Sequence, residues 1–419
     1  MKLFYGWVNV AVLLIVYMLL MMPVLLTFGI ILEPMTAALG ISTTVASFAY
    51  SVMSLLSGLC AVVAGALAKK IGNKQAIIFG AGLVMAGGLL MYFCCYSVIV
   101  LYLCYILFFS AGLTIGTILP INTIISQWFQ KKRGAAMAVV SCGAGLAGFI
   151  INPLMARVLE RTNDWRNIYL WIAGFAMICL VLAALLVKNH PSDMNLNPDG
   201  AEAGEPKRLL PSTESAENVL QEEIWTIGQA RHTRAFYLLV LAVGICSFTQ
   251  TSVNTHAIPH LTNVGMQATV AASIVGTFSF FSIPSRLLSG LLCDRINSRM
   301  VLIIGYSVLL CGIIALRFTT SIPVGYSFAV LTGLGYGLTY ASLSPLIASY
   351  FGSENFGLIY GAIYSVSALI NASAPTLMGV CKDLIGDYSL AWSLLIVLVL
   401  VALVGSMLLK KPDHMLDAH

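Results

Sequence analysis

The sequence is poor in charged residues. Only 9% of its 419 residues are Asp, Glu, Lys or Arg, whereas 59% are hydrophobic and the mean hydropathy is +0.92. Such a composition excludes a soluble globular protein and is typical of a helical membrane protein with several spans. The apolar runs are continuous over about 20 residues, the length of a membrane-spanning helix, and do not alternate as the strands of a β-barrel would.

Motifs of catalysis and of metal binding are missing as well. The ten cysteines are scattered along apolar segments, with one adjacent pair and no C-x-x-C, so we interpret them as small apolar packing residues. No H-E-x-x-H, nucleophile elbow or P-loop occurs. We therefore expect no enzymatic activity, no cofactor and no metal, and the net charge of +5 gives no indication of nucleic acid.

About twelve apolar segments follow one another along the chain. The first begins directly after MKLFYGW, without a signal-peptide cleavage site, and we interpret it as an uncleaved helix. If the N-terminus is cytoplasmic, the inner loops receive most of the 22 Lys and Arg residues. This bias predicts a multi-pass protein of the inner cell membrane, surrounded by lipid, with both termini in the cytoplasm. We expect it to be a monomer.

The chain divides into two halves that repeat each other. A polar stretch at 191–234, which we predict to be a cytoplasmic linker, separates residues 1–190 from 235–419. The matches are GALAKKIGNK with GLLCDRINSR, GLTIG with GLGYG, WF with YF, and Pro153 with Pro375, at offsets of 221 to 225 residues. This common register predicts an all-α fold of two pseudo-symmetric six-helix bundles.

The repeated loop motif at 65–74 and 290–299, together with DWR at 164–166, resembles the motifs of the major facilitator superfamily over nearly the whole chain. Four stretches resemble its monocarboxylate transporter family and the bacterial relatives of that family, which include the oxalate/formate exchangers: FYGW at 4–7, WFQKKRGAAMAVVSCGAGLAG at 128–148, THAIPHLTNVG at 255–265 and SRLLSGLLCDR at 285–295. The resemblance implies transport by alternating access of the two bundles.

The resemblance also implies a gating motif. Its acid in the second copy is Asp294, followed by Arg295. In the first copy Lys69 stands where the acid is expected, which departs from the pattern of the superfamily.

Arg286 is the single charged residue of an apolar segment at 269–293 that is long enough to cross a bilayer. An arginine at that depth costs roughly 2.5–3.5 kcal/mol on insertion scales. We expect no carboxylate at the same depth, since the nearest acids, Glu33, Asp294 and Asp383, lie at predicted helix ends. A guanidinium binds a carboxylate through two parallel hydrogen bonds, so we interpret Arg286 as the binding site for an anion.

Further site residues come from the resemblance and from helical spacing. The resemblance places the helix-four asparagine at Asn122 and the aromatic positions of helix ten at Tyr336 and Tyr340, whereas Tyr360 and Tyr364 are one turn apart on span eleven. Each tyrosine has the alternative interpretation of a helix-packing residue with a satisfied hydroxyl. Apolar residues should form a wall that excludes larger or doubly charged molecules. The predicted substrate site comprises Arg286, Asn122, Tyr336, Tyr340, Tyr364, Ile150 and Phe28.

These residues predict a secondary carrier of small monocarboxylates such as lactate, pyruvate or acetate, with H⁺ as a coupling ion. In animal relatives an aspartate one turn before the helix-eight arginine is linked to proton coupling, but here that residue is Ser282. Any proton should therefore move with the substrate or on His256, which we predict to lie near the cavity. The alternatives are an oxalate/formate exchanger, which a single buried cation disfavours, and an exporter of lipophilic compounds or a transport-like sensor.

Overall fold

The fold is helical throughout the described part of the chain and contains no strand there. The computed structural model describes residues 4–129, 132–194, 196–197, 225–352 and 355–412. Twelve membrane helices occur in these ranges. They are α1 (Tyr5–Leu26, continued by Phe28–Leu39), α2 (Thr43–Leu59 and Ala61–Ile71), α3 (Asn73–Cys94), α4 (Val98–Trp128), α5 (Arg133–Thr162), α6 (Arg166–Leu186), α7 (Arg234–Asn263), α8 (Ala268–Cys293), α9 (Ser298–Arg317), α10 (Ile322–Phe351), α11 (Phe356–Ile385) and α12 (Ser389–Leu408).

Ten of these helices are long and apolar enough to cross a membrane. The other two are α2, which is interrupted at Cys60, and α10, which is long enough but carries more polar residues. The fold is therefore the predicted one, with α1 to α6 and α7 to α12 as two pseudo-symmetric six-helix bundles. Most of the predicted linker lies outside the described residues, and the proposed bundle limits of 1–190 and 235–419 stay predictions.

Helix ends in the described chain follow from local chemistry. Gly40 and Gly386 end α1 and α11 with φ angles of 64° and 86°, a left-handed conformation that glycine adopts without a steric cost. Ser42 begins α2 as an N-cap, since its hydroxyl accepts a hydrogen bond from the backbone N of Val45. These caps keep the loops between spans short.

Two glycines bring α10 against α8. A Cβ on Gly333 would lie 2.6 Å from the carbonyl O of Phe278, and one on Gly337 would lie 2.7 Å from the carbonyl O of Ser282. Glycine is needed at both positions because any side chain would push the two helices apart. The close approach places the α10 face that carries Tyr336 beside α8.

The bundles are joined at the end of the helices opposite to the one where α1 begins. Asp383 of α11 accepts hydrogen bonds from the backbone N of Thr43 and of Thr44 in the first turn of α2, at 3.2 and 2.7 Å. Glu160 of α5 accepts one from the backbone N of Thr269 in the first turn of α8, at 2.9 Å. Each carboxylate thus caps a helix of the other bundle. We call this end the capped end.

Two further contacts cross between the bundles towards the same end. The hydroxyls of Ser51 and Thr376 lie 2.7 Å apart, and Thr262 donates a hydrogen bond to Glu33 at 3.2 Å. Small residues also bring α5 onto α8, since a Cβ on Gly276 would lie 2.9 Å from the carbonyl O of Gly148. The bundles are therefore in direct contact over this part of their length.

Candidate functional site

A cavity of about 640 Å³ lies between the two bundles. Residues of α1, α2, α4 and α5 line it from the first bundle, and residues of α7, α8, α10 and α11 line it from the second. Its size is within the range of small-molecule binding sites. Among the described residues that form its wall, Arg286 is the one charged side chain.

Arg286 has aromatic rather than acidic neighbours. Its guanidinium carbon lies 5.0 Å from the ring centroid of Tyr340 and 5.6 Å from that of Tyr336, distances at which a cation and an aromatic face attract each other. Its Nε is buried and has no hydrogen-bond partner in the described chain, and no carboxylate there forms an ion pair with it. A buried N–H without an acceptor is costly, so this guanidinium is suited to an acceptor that enters with a ligand.

Amide side chains of α7 and α11 line the same cavity as Arg286. Tyr336 donates a hydrogen bond of 2.6 Å to Oε1 of Gln250, which leaves the amide NH₂ of Gln250 as a donor. Thr251 donates to Oδ1 of Asn371 at 2.7 Å, and all four of these residues line the cavity. Neutral donors that share a cavity with a guanidinium are suited to hold the remaining oxygens of a carboxylate or a hydroxyl.

Four of the predicted site residues come together in the cavity wall. Arg286, Tyr336 and Tyr340 form one group, and Tyr364 lines the cavity from α11. The ring of Tyr364 stacks on that of Tyr360 with centroids 4.2 Å apart. Tyr336 and Tyr340 are not only helix-packing residues, because the rings of both also face the guanidinium of Arg286.

Phe28 and Ile150, which we predicted to form an apolar wall, both lie outside the cavity lining. Phe28 is fully buried and packs against Tyr50 and Tyr105 instead of lining the cavity. Ile150 is about half exposed and is also outside the lining. Ser141 is one of the α5 residues that line the cavity. Ile150 is nine residues further along α5, and at roughly 100° per residue this rotation places it on the opposite side of the helix. The prediction for both residues is corrected accordingly.

Asn122 is exposed on α4 and does not line the cavity. The α4 residues that do all precede Asn122, and the last three of them lie next to a break in the helix at Thr117; they are Leu113, Thr114, Thr117, Ile118 and Leu119. Asn122 thus lies about one turn beyond the wall, and its carbonyl O accepts a hydrogen bond from Ser126. We remove it from the candidate site.

His256 is fully buried away from the cavity. Its Nε2 lies 3.0 Å from the carbonyl O of Pro375, and its Nδ1 lies 3.5 Å from the hydroxyl of Tyr388. Both ring nitrogens therefore face partners in the second bundle. The prediction that His256 lies near the cavity is wrong, because the α7 face towards the cavity carries Gln250, Thr251 and Asn254.

Asp294 and Arg295 follow the last residue of α8 and are exposed. Within the described ranges neither side chain makes a hydrogen bond or an ion pair. Their role in gating stays a prediction.

Sequence reasoning missed the amide residues of α7 and α11 and the first-bundle wall. Gln250, Asn254 and Asn371 are amides inside apolar segments, a signal that should have placed them in the site. The first-bundle wall contains Tyr17 and Met21, which lie in a π-helical turn, a feature frequent at functional sites. No sequence pattern distinguishes Tyr17 and Met21 from residues that face lipid.

Comparison with known proteins identifies the family. The sequence matches the model of the Major Facilitator Superfamily over residues 13–256 and 240–417. The chain belongs to the major facilitator superfamily. It is a multi-pass membrane transporter, and the resemblance of its motifs to this superfamily is confirmed.

Individual relatives are distant. The chain is 23% identical to the uncharacterized MFS-type transporter YhjX of Escherichia coli, over 81% of this chain and 79% of that protein. It is 22% identical to monocarboxylate transporter 12 of Rattus norvegicus, over 82% and 73% of the two chains, and 24% identical to monocarboxylate transporter 13 of Bos taurus, over 87% and 80%. A solved structure of a bacterial homolog to the human lysosomal transporter Spinster, inward-facing and occupied, covers 96% of both chains with a TM-score of 0.70 and 14% identity. This likeness shows the shared fold.

Proposed function

We propose that this transporter carries small monocarboxylates of the lactate, pyruvate and acetate type, by alternating access of the two bundles around Arg286. The observation that supports this proposal is a guanidinium in the inter-bundle cavity, flanked by two tyrosine rings and without an acidic partner in the described chain. A planar guanidinium donates two parallel hydrogen bonds to a carboxylate. The similarity to monocarboxylate transporters 12 and 13 agrees with it.

The charge of the cavity favours monoanions. One guanidinium faces the cavity, and its described walls carry no carboxylate and no second cation. A bound monoanion therefore leaves the site near neutral. A dianion brings one uncompensated charge out of water, at a cost of several kcal/mol. This argument favours a monocarboxylate carrier over an oxalate exchanger.

We place the protein in the inner cell membrane as a monomer, with the capped end outside and both termini in the cytoplasm. The distribution of Lys and Arg supports this orientation. The contacts of Asp383 and Glu160 hold the bundles together at the capped end, so the cavity is reached from the cytoplasmic side in this state.

We assign any coupled proton to the substrate carboxylate. The described lining residues include no Asp, Glu, His or Lys that could carry a proton at neutral pH, and His256 lies outside the cavity. A proton that enters with the carboxylate cancels its charge. This removes the cost of moving an anion against a negative-inside membrane potential, about 2.3 kcal/mol per 100 mV.

The test is competition in proteoliposomes. Uptake of labelled lactate is measured with unlabelled lactate, acetate, oxalate, malonate or succinate outside, at one pH and with the membrane potential clamped. The account predicts that acetate competes far better than the three dicarboxylates. Equal competition by oxalate would support the exchanger instead, and no uptake of any carboxylate would contradict the proposal.

A further inference from the structure

The two walls of the cavity differ in chemistry. The second bundle contributes the guanidinium of Arg286, the tyrosines and the amides described above. The first bundle contributes thioethers and branched alkyl groups, in addition to hydroxyls such as those of Tyr17, Ser57 and Thr114. We call this apolar part the methionine wall, and it consists of Met21, Met22, Leu25, Leu26, Met53 and Leu113.

A carboxylate of two or three carbons leaves most of this cavity unfilled. A volume of 640 Å³ holds on the order of 20 water molecules at about 30 Å³ each. Such an anion held at Arg286 displaces only a few of them and leaves the methionine wall in contact with water. Contact between water and an apolar wall is unfavourable, so a ligand that covers the wall binds more tightly.

Methionine side chains adapt to ligands of different shape. The side chain is unbranched and its sulfur is polarisable, and it is frequent at surfaces that bind several partners. Met22 and Met53 are almost fully buried, whereas Met21 is partly exposed, and the hydroxyl of Thr117 lies 3.7 Å from its sulfur. The apolar surface that the wall presents to the cavity is therefore mainly that of Met21 and Leu25, and the buried members support it from behind.

We infer that the preferred substrates are monocarboxylates with an apolar body of about four to nine carbons, bound with the carboxylate at Arg286 and the body on the methionine wall. This inference rests on the proposed function and extends its substrate class from two- or three-carbon acids to larger amphipathic monocarboxylates, which should bind more tightly at the same site. A ligand of this kind contacts both bundles at once, because its two ends are recognised by different bundles.

The test is a chain-length series on the purified full-length protein in detergent. Calorimetric titration measures the affinity for acetate, butyrate, hexanoate and 3-phenylpropionate at pH 7.5. Full burial of a methylene group strengthens binding roughly fourfold, so hexanoate should bind at least tenfold more tightly than butyrate. Titration of protein-free detergent micelles in parallel reports any partition of the longer acids into the detergent, and the Arg286→Ala protein is then titrated in the same series.

A substitution in the methionine wall tests whether this wall binds the apolar body of the longer acids. Met21→Ser should weaken hexanoate binding about fivefold or more and change acetate binding less than twofold, since acetate has only a methyl group with which to cover the wall. Met177→Ser is the matched control, because Met177 lies on α6 outside the cavity and is 51% exposed. The chain-length series on the unchanged protein needs no variant, so the inference stays testable if Met21→Ser fails to fold.

The outcomes separate this inference from the proposed function. Equal affinity along the series, with all binding lost in Arg286→Ala, would overturn the inference and leave the proposed function intact. Affinity that rises along the series equally in Arg286→Ala would contradict both, and would indicate a carrier of lipophilic compounds. A rise that requires Arg286 and is reduced by Met21→Ser would support both.

Discussion

Asp383 and Glu160 make the same contact in the two bundles. Asp383 bonds the backbone N of Thr44, the second residue of α2, and Glu160 bonds that of Thr269, the second residue of α8. The two carboxylates are 223 positions apart and the two threonines 225, within the range of 221 to 225 found for the sequence repeat. The duplication has therefore produced a symmetric pair of caps, each of which crosses between the bundles.

Removal of both caps should loosen the capped end. In Asp383→Ala combined with Glu160→Ala, we expect faster deuterium uptake in the first turns of α2 and α8, because each lost cap costs roughly 0.5–2 kcal/mol. Hydrogen-exchange mass spectrometry of the purified protein measures this. The control is Asp387→Ala, since Asp387 bonds Ser389 within the turn that leads into α12, and these bonds lower the pKa of its carboxyl. Unchanged exchange at both helix starts would show that the caps do not hold this end.

Proton coupling should depend neither on His256 nor on the caps. Lactate uptake should be faster at outside pH 5.5 than at 7.5, because a proton that moves with the carboxylate lets the pH gradient drive accumulation. His256→Gln should keep this acceleration, and so should the double variant Asp383→Asn and Glu160→Gln, since neither carboxylate carries the proton. Uptake into liposomes with a clamped membrane potential measures both. A loss of the pH response in His256→Gln alone would assign the proton to the histidine.

Tyr336 should act by orienting Gln250. Tyr336→Phe keeps the ring beside Arg286 but removes the hydrogen bond to Oε1 of Gln250, so the KM for transport should rise about fivefold to tenfold, the equivalent of one hydrogen bond. The matched control is Tyr326→Phe on the same helix, at a residue that is 38% exposed and outside the cavity. Equal KM values for the two variants would show that Tyr336 does not act by orienting Gln250.

The contact between α10 and α8 should not tolerate a methyl group. Gly333→Ala should destabilise the protein by about 1–3 kcal/mol, because its Cβ would overlap the carbonyl O of Phe278. Gly361→Ala on α11 meets no atom within 4 Å and should be neutral or stabilising, since alanine favours a helix over glycine. Thermal unfolding in detergent compares the two. Equal melting temperatures would show that α10 can move away from α8 without loss.

The fold was predictable because its determinants are local or repeated in the sequence. Continuous apolar runs define the helices, and the common offset between the halves defines the two bundles. Arg286 was predictable because a single charged residue in an apolar membrane segment indicates a functional site. Tyr336 and Tyr340 followed from the resemblance and from their one-turn spacing.

The apolar wall was not predictable from the sequence. In a membrane protein, residues that face lipid and residues that face a cavity are equally hydrophobic, so Phe28 and Ile150 could not be distinguished from Met21 and Met53. His256 was misplaced because a polar residue on a membrane helix can face a neighbouring helix as well as a cavity. The caps of Asp383 and Glu160 depend on contacts between distant segments, and no local pattern marks them.

The central claim is that Arg286 binds the carboxylate of the substrate. The most direct measurement is uptake of labelled lactate into proteoliposomes by wild type, Arg286→Ala, Arg286→Lys and the control Arg317→Ala, an arginine that bonds Ser393 outside the cavity. We expect no uptake in Arg286→Ala, little in Arg286→Lys because an ammonium lacks the two-pronged geometry, and normal uptake in Arg317→Ala. Wild-type uptake by a correctly folded Arg286→Ala protein would contradict this claim.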